Sequence, residues 1–473
     1  MFILILLCTF WILYKGFHFI SLFESKDYRF DRFQSGIYDR GFITQFYSYK
    51  ISWPSRTPRN VMITSFHVLI TGVLFLYAFE DIYIYNFLSY FFWLAPFAAF
   101  VIVLTGVALT QIPVQIYRWI IVQTAKLKLR NSKTVFIGVA GSYGKTAIVE
   151  QLHSIFAKKH AVTMTDSRYI NDIGIARAIL RNLSDDTEIF IIEIGSCKKG
   201  EINQAVHYIP FSYLIITGIG NHRLDLFGSK KNMNTEFTSL ITQLPSDKIV
   251  YLNSEISVIG DVSTTIKTYG FSEKDDVSAT HFSFNQAFTK ARIHYKNQSW
   301  NIQTALLGRH SLQNLLPVFA LCVDVGMRPS DVLHKIQNFK HEKNKFSIHR
   351  GTHKSVIISD LQESNLNGLL IKIDFLKHFS HKTKIIVSHG IQELGVEKRS
   401  SYKKILHEIN KNNIQLYTTD DSFSSLSKHG SIMTFNDVLQ LQKQLLLSVD
   451  KGTVVLVEGK WPPSLIEALI VHK

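Results

Sequence analysis

The chain has 473 residues, a formal net charge of +15, 46% apolar side chains and 19% charged ones. This composition excludes a disordered chain, and the length suffices for two or three domains that each bury a core. Only three cysteines occur, far apart and without metal-ligand spacing, which argues against a disulfide framework and favours a reducing compartment.

The first quarter of the sequence is rich in apolar residues. Residues 1–23 are almost unbroken apart from Lys15 and His18, residues 61–79 carry no formal charge, and residues 87–122 exceed the length needed to cross a bilayer. We therefore predict a membrane region at residues 1–130 with two to three transmembrane helices. A cleaved signal peptide is the alternative for the first segment, although it lacks a basic start and a small-residue cleavage site.

Charge placement orients these spans. Basic residues cluster in the first connection and after the last span: Lys26, Arg29, Arg32, Arg40, Lys50, Arg56, Arg59, Arg118, Lys126, Lys128 and Arg130. The second connection carries Glu80 and Asp81 instead. The positive-inside rule then predicts an integral protein of the cell (inner) membrane, with its N-terminus outside and everything after residue 130 in the cytoplasm. Membrane lipids account for much of the basic excess, and without an aromatic-basic RNA motif we expect no nucleic-acid partner.

From residue 133 onward, short β-branched runs alternate with helical patterns, and a second such series begins near residue 354. The alternation predicts an α/β fold with mostly parallel sheets flanked by helices. We place one domain at residues 131–342 and another at residues 343–473. Between the two series, the pattern predicts a helix that begins after Gly308 and ends before "RPS".

A glycine-rich stretch, "VFIGVAGSYGKTAIVEQL", joins the first strand of this region to a helix. It ends like a phosphate-binding loop, yet Val139 stands where the pattern G-x-x-x-x-G-K-[ST] has its first glycine. A strand-loop-helix junction offers free amides and a positive helix end to phosphate oxygens. Lys145 would reach the terminal phosphates of ATP, and the Thr146 hydroxyl would bind Mg²⁺. The proposed nucleotide-binding loop is Gly141, Ser142, Tyr143, Gly144, Lys145 and Thr146. A glycine turn with an incidental lysine is the alternative.

The spacing present, Gly138-x-x-Gly141-x-x-Gly144-Lys-Thr, resembles that of the Mur ligases, which form amide bonds with ATP. Ordered matches run from about residue 133 to the end, closest to the subgroup that adds D-alanyl-D-alanine to a peptidoglycan precursor. The resemblance implies a P-loop central ATPase domain and a Rossmann-like C-terminal domain. It also implies site residues: Asn171 for the substrate, Glu193 for Mg²⁺, Asn314 near the adenine, Lys345 at the nucleotide, and catalytic roles for Lys145, His222 and Asp360.

The match to the family breaks at several positions. The magnesium-binding histidine of the family falls on Arg223, so His222, one place early, is the candidate metal ligand in its stead. The carbamoylated lysine of the family falls on Phe237, while Lys230 and Lys231 are out of register. Lys345 stands where the family has an arginine, and Glu458 stands where it has a lysine. These losses leave ATP and one Mg²⁺ as the expected cofactors.

Relatives of this type begin with a small domain that binds a UDP-sugar, a place that membrane spans occupy here. The sequence thus favours a membrane-anchored ligase that joins a carboxylate to an amine in cell-envelope assembly, with a lipid-linked substrate or a polymer handled at the membrane face. Two alternatives stay open. One is a synthetase of an amide-linked polymer such as polyglutamate. The other is a catalytically silent ATP-binding scaffold, favoured by Arg223 and Phe237 but not by the intact loop and Glu193.

Overall fold

The computed structural model describes residues 2–30, 33–34, 46–47, 53–80, 84–167, 169–195, 200, 202, 207–218, 230–257, 262–284, 288–339, 346–361, 364, 366–377, 379–391, 394, 398–426 and 431–471. The chain divides into two compact units, Met1–Gln123 and Thr124–Lys473. The membrane region predicted at residues 1–130 ends close to this division. The boundary predicted at residue 342 stays a prediction.

Among the residues that the structure describes, the N-terminal unit contains three long helices: α1 (Phe2–Ser25), α2 (Pro58–Glu80) and the first part of α3 (Ile84–Arg130). Within them, the segments Ile5–Ser25, Pro58–Tyr77 and Leu94–Arg130 are long and apolar enough to cross a membrane. Their outer surfaces carry exposed leucines such as Leu69 and Leu76, as expected of helices that are apolar all round. Three candidate spans agree with the upper end of the sequence prediction.

The second unit contains two sheets. The first has nine strands in the order β2-β3-β1-β4-β5-β6-β7-β8-β9. Its strands are β1 (Val135–Ala140), β2 (Val162–Met164), β3 (Ile189–Glu193), β4 (Phe211–Ile216), β5 (Ile249–Asn253), β6 (Thr265–Gly270), β7 (Val277–Phe284), β8 (Thr289–Tyr295) and β9 (Gln298–Thr304). Pairing is parallel from β2 to β7, and β8 and β9 add two antiparallel strands at the end.

Helices cover this first sheet and bury the apolar faces of its strands. They are α4 (Lys145–Phe156), α5 (Asp172–Asn182), α6 (Lys230–Thr242), α7 (Arg309–Asp324) and α8 (Pro329–Gln337). α7 begins directly after Gly308, as the sequence predicts, and it packs against α4 in a shared core that includes Ile148, Leu152 and Leu315. This packing brings α7 beside the helix that follows the glycine loop.

The second sheet has six strands in the order β10-β11-β15-β12-β13-β14. Its strands are β10 (Ser347–Arg350), β11 (Val356–Asp360), β12 (Thr383–Ser388), β13 (Ile414–Thr418), β14 (Ile432–Thr434) and β15 (Thr453–Glu458). Its helices are α9 (Leu366–Leu376), α10 (Lys398–Lys411), α11 (Val438–Ser448) and α12 (Pro463–Leu469). Only β10 is antiparallel to its neighbour. β11 and β15 are parallel neighbours, so their carboxyl ends lie side by side.

Candidate active site

The loop after β1 lies close to the end of β4 and to α7, and its two glycines have no room for a side chain. Gly141 has φ +133° and Gly144 has φ +80°, conformations that residues with a Cβ rarely adopt. A Cβ on Gly141 would lie 2.0 Å from Thr217 Oγ1, at the end of β4, and one on Gly144 would lie 2.5 Å from Asn314 Oδ1 on α7. Backbone conformation and close packing thus both require glycine at these two positions.

Gly138, the first glycine of the unusual spacing, belongs to the interior of β1 and not to the loop. A Cβ there would lie 2.8 Å from a ring carbon of Phe211 and 2.9 Å from a methyl carbon of Leu214, both on the neighbouring strand β4. Gly138 therefore leaves room for the side chains of Phe211 and Leu214 to pack over β1. The shifted spacing combines one packing glycine with two loop glycines.

The first residues of α4 place a cation and a hydroxyl at the end of the loop. Lys145 Nζ donates to Gly141 O at 2.8 Å, so the ammonium group lies at the start of the loop. Thr146 Oγ1 donates to Glu193 Oε1 at 3.0 Å. Because the helix N-terminus adds its own positive end, this side of the loop suits phosphate oxygens.

Glu193 is the carboxylate of the site, and it is only 3% exposed. It lies at the carboxyl end of β3, paired in register with Val139, and its backbone N–H donates to Thr165 Oγ1 at 2.8 Å. The Glu193 carboxylate and the Thr146 hydroxyl supply two hard oxygen ligands. Mg²⁺ commonly uses one or two protein oxygens, with water and substrate phosphates completing its shell, so these residues fit that ion.

The structure offers no alternative cluster of three or more histidine, cysteine or acidic side chains for a metal among the residues that it describes. The predicted ligand His222 and its neighbour Arg223 lie outside the described residues, as does Lys345. Phe237 is described: it lies on α6 and is 3% exposed. A phenyl ring in the core offers no metal ligand at this position.

The remaining predicted loop residues make contacts through their side chains that hold the loop. Ser142 Oγ donates to Met233 Sδ at 3.3 Å, and its backbone N–H donates to Gly218 O at 3.0 Å. Tyr143 Oη donates to Glu255 Oε2 at 3.3 Å, and burial raises the pKa of Tyr143 above its usual range. The Ser142 amide is thus already engaged by Gly218 within the protein, and these contacts fix the shape of the loop.

Asn171 and Asn314 make different contacts. Asn171 precedes α5 and its side-chain oxygen accepts from Gly174 N at 2.8 Å, which makes it the N-cap of that helix. Asn314 lies directly against Gly144, on the helix that closes one side of the loop. The structure therefore brings Asn314 to the phosphate-loop residues and gives Asn171 a helix-capping contact.

Asp360 lies at the carboxyl end of β11 in the second sheet, where an unforeseen cation holds it. Lys372 Nζ on α9 contacts Asp360 Oδ2 at 2.5 Å and also pairs with Glu458 at the end of β15. Ser364 Oγ donates to Glu458 Oε1 at 2.9 Å. Burial and the nearby Asp360 raise the pKa of Glu458, and Lys372 partly opposes this shift.

Sequence reasoning missed Thr217 and Lys372. Thr217 directly follows the apolar run that forms β4, so its position at a strand end was a usable signal. Lys372 had no comparable signal, because it lies within an apolar helix and meets its carboxylates only through the order of the strands.

Comparisons with known proteins find similarity to the Mur ligases. Residues 139–322 match the model of the Mur ligase middle domain. The chain is 23% identical over 350 residues to the UDP-N-acetylmuramoyl-tripeptide–D-alanyl-D-alanine ligase of Bacillus subtilis (strain 168), covering 71% of this chain and 75% of the relative. It is 25% identical over 343 residues to the enzyme of the same name from Haemophilus influenzae, covering 70% and 74%.

Two solved structures share the fold. MurF from Acinetobacter baumannii superposes with a TM-score of 0.67 at 17% identity, over 74% of this chain and 80% of that one. MurF from Thermotoga maritima in complex with ADP superposes with a TM-score of 0.67 at 18% identity, over 74% and 82%. At these identities the superpositions establish a mixed α/β fold of the MurF type.

Proposed function

Since the chain is related to the Mur ligases through its middle domain and shares the fold of MurF, we propose that it is a membrane-anchored, ATP-dependent ligase that joins a carboxylate to an amine. Its relatives supply the context of peptidoglycan and cell-envelope precursor synthesis. One observation carries the proposal: the Thr146 hydroxyl and the Glu193 carboxylate lie 3.0 Å apart beside Lys145 at a helix N-terminus.

The proposed reaction has two steps that these residues serve. The carboxylate oxygen of the first substrate attacks the terminal phosphorus of ATP, which forms an acyl phosphate and releases ADP. The amine of the second substrate then attacks the acyl carbon, which forms the amide, expels phosphate and loses a proton. Lys145 neutralises negative charge on the oxygens of the phosphoryl group while that group is transferred.

Mg²⁺ would bind to Thr146 and Glu193, where its charge would offset that of the phosphates. Asn314 lies beside the loop and would contact the nucleotide. His222, Lys345 and Asn171 keep the metal, nucleotide and substrate roles that the family resemblance implies for them. Asp360, at the end of a strand of the second sheet, would keep the catalytic role that the resemblance implies, with its carboxylate held by the ion pair to Lys372.

The three apolar helices of the N-terminal unit support anchoring in the membrane. We propose that residues after 130 work at the cytoplasmic face and that the substrate pair includes a lipid-linked molecule or a growing polymer. A catalytically silent ATP-binding scaffold is the second candidate, favoured by the burial of Phe237 at the carbamoyl-lysine position.

Phosphate release from ATP tests the proposal. The full chain in detergent is incubated with Mg²⁺, membrane extract and candidate amines, with Lys145→Ala as the blank. Lys231→Ala is the matched control, since Lys231 is an exposed lysine outside the loop. Release that requires extract and amine, and that only Lys145→Ala abolishes, would establish a ligase. ATP binding without release under any mixture would favour the scaffold.

A further inference from the structure

Thr217 holds a buried hydroxyl that the described structure leaves without a hydrogen-bond partner. The residue is 1% exposed, and its Oγ1 makes no hydrogen bond to any residue that the structure describes, whereas its backbone N–H donates to Ala140 O at 2.8 Å. Buried hydroxyls nearly always find a partner, because an unsatisfied one loses its bonds to water. A group of this kind beside a ligand loop therefore points to a ligand.

The position of Thr217 follows from the order of the strands. β3 and β4 flank β1 on opposite sides, and the register pairs Val139 with Glu193 and Ala140 with Ile216. Glu193 therefore ends one flank of the loop and Thr217 ends the other. The loop therefore has the carboxylate of Glu193, the candidate Mg²⁺ ligand, on one side and the neutral hydroxyl of Thr217 on the other.

The hydroxyl lies at the end of the loop where the terminal phosphate belongs. Lys145 of such a loop reaches the terminal phosphates, and here its ammonium lies 2.8 Å from Gly141 O. Thr217 Oγ1 packs against the same residue, since a Cβ on Gly141 would be 2.0 Å from it. The ammonium and the hydroxyl thus converge on Gly141.

We propose that the Thr217 hydroxyl donates a hydrogen bond to the terminal phosphate of bound ATP, and so makes the site distinguish ATP from ADP. The inference rests on the proposed function, because it requires a nucleotide in the loop. A bond from a neutral hydroxyl to an anionic oxygen is charge-assisted, and it is lost when the terminal phosphate is absent.

The test compares variants that separate the hydroxyl from the shape of the side chain. Thr217→Val removes the hydroxyl and keeps the branching, and Thr217→Ser keeps the hydroxyl. Thr238→Val is the matched control, because Thr238 on α6 is also buried with an unpartnered Oγ1. Dissociation constants of a non-hydrolysable ATP analogue and of ADP are measured with Mg²⁺ for each full-length protein in detergent.

We expect Thr217→Val to weaken binding of the ATP analogue about tenfold, and binding of ADP less than about twofold, the size of one charge-assisted bond. Thr217→Ser and Thr238→Val should match the wild type with both ligands. If Thr217→Val does not fold, the pair Thr217→Ala and Thr217→Ser gives the same contrast, since both lack the methyl group and only one lacks the hydroxyl.

Equal affinities of wild type and Thr217→Val for the ATP analogue would overturn the inference and leave the proposed function standing. An equal loss for both nucleotides would also overturn it, because that pattern indicates a structural role. A wild-type protein that binds neither nucleotide would defeat the proposed function and the inference together.

Discussion

At the scale of single residues, Gly144 in the loop and Gly326 after α7 share a positive φ but differ in how closely their neighbours pack. Gly144 combines a positive φ with the close approach of Asn314, whereas Gly326, just after α7, has φ +98° and nothing within 4 Å of a built Cβ. Gly326→Ala should therefore cost only the backbone strain, about 1 kcal/mol, and Gly144→Ala should cost more, at least about 2 kcal/mol.

Chemical unfolding of the detergent-solubilised protein measures both costs, and ATP binding gives a second readout. Gly144→Ala should weaken ATP binding because Asn314 and the loop must separate, and Gly326→Ala should leave it unchanged. Equal destabilisation by the two substitutions would contradict the close packing of Asn314 on the loop.

At the scale of elements, the end of α7 is tied to the first sheet by one carboxylate. Asp324 contacts Lys296 Nζ at 2.8 Å and accepts from Tyr295 Oη at 2.6 Å, and it also contacts Lys267 and Tyr251. Burial alone would raise the pKa of Asp324, but the hydrogen bonds from the lysines and tyrosines lower it to about 2. These contacts join α7 to β5, β6 and β8.

The sign of the pH dependence follows from that pKa. The folded value of about 2 lies below the unfolded value near 3.9, so the stabilisation is present above about pH 4 and is lost as the pH falls toward 2. A shift of this size corresponds to about 2.5 kcal/mol. Asp324→Asn should lower the free energy of unfolding by about that amount at pH 7, and the difference from wild type should shrink on acidification. A difference that is independent of pH would exclude the ionic origin.

The second sheet has its own ionic junction between elements. Lys372 on α9 joins the ends of β11 and β15 through ion pairs with Asp360 and Glu458. The lysine side chain is buried. Lys372→Met leaves two carboxylates together without a cation, and removal of one partner from a buried pair typically costs about 3 to 5 kcal/mol.

Unfolding midpoints of three variants test this junction. Lys372→Met should be strongly destabilised, and the double variant Lys372→Met with Glu458→Gln should recover part of the loss. Lys377→Met, which removes a more exposed lysine that follows the same helix, should stay near wild type. No recovery in the double variant would mean that charge repulsion is not the cause.

The sequence predicts elements better than it predicts how they meet. The strands that begin at Val135, Ile189 and Phe211 follow from β-branched runs, and Lys145, Thr146 and Glu193 follow from their positions next to those runs. The β-branched runs of the sequence do not predict β6 to β9, because these strands are polar and partly exposed and lack an apolar run. Lys372 meets its two carboxylates only through the order of the strands, which local sequence does not encode.

At the scale of the whole molecule, three apolar helices and the placement of charge predict a fixed membrane orientation. An odd number of spans puts the two ends of the chain on opposite sides of the bilayer. The basic first connection and the basic residues in the last part of α3 should stay on the cytoplasmic side, whereas Glu80 and Asp81 mark the outer connection. The ATP-dependent chemistry proposed here requires that side, since nucleotide is available in the cytoplasm.

Reporter fusions at residues 57, 83 and 473 test this orientation in cells. Green fluorescent protein should fluoresce at residues 57 and 473 and not at residue 83, and alkaline phosphatase should be active only at residue 83. The full chain should stay with the membranes during alkaline carbonate extraction, because apolar helices hold it there. An active phosphatase at residue 473 would place the loop at Lys145 away from cytoplasmic ATP, and the ligase proposal would then fail irrespective of the geometry at Glu193.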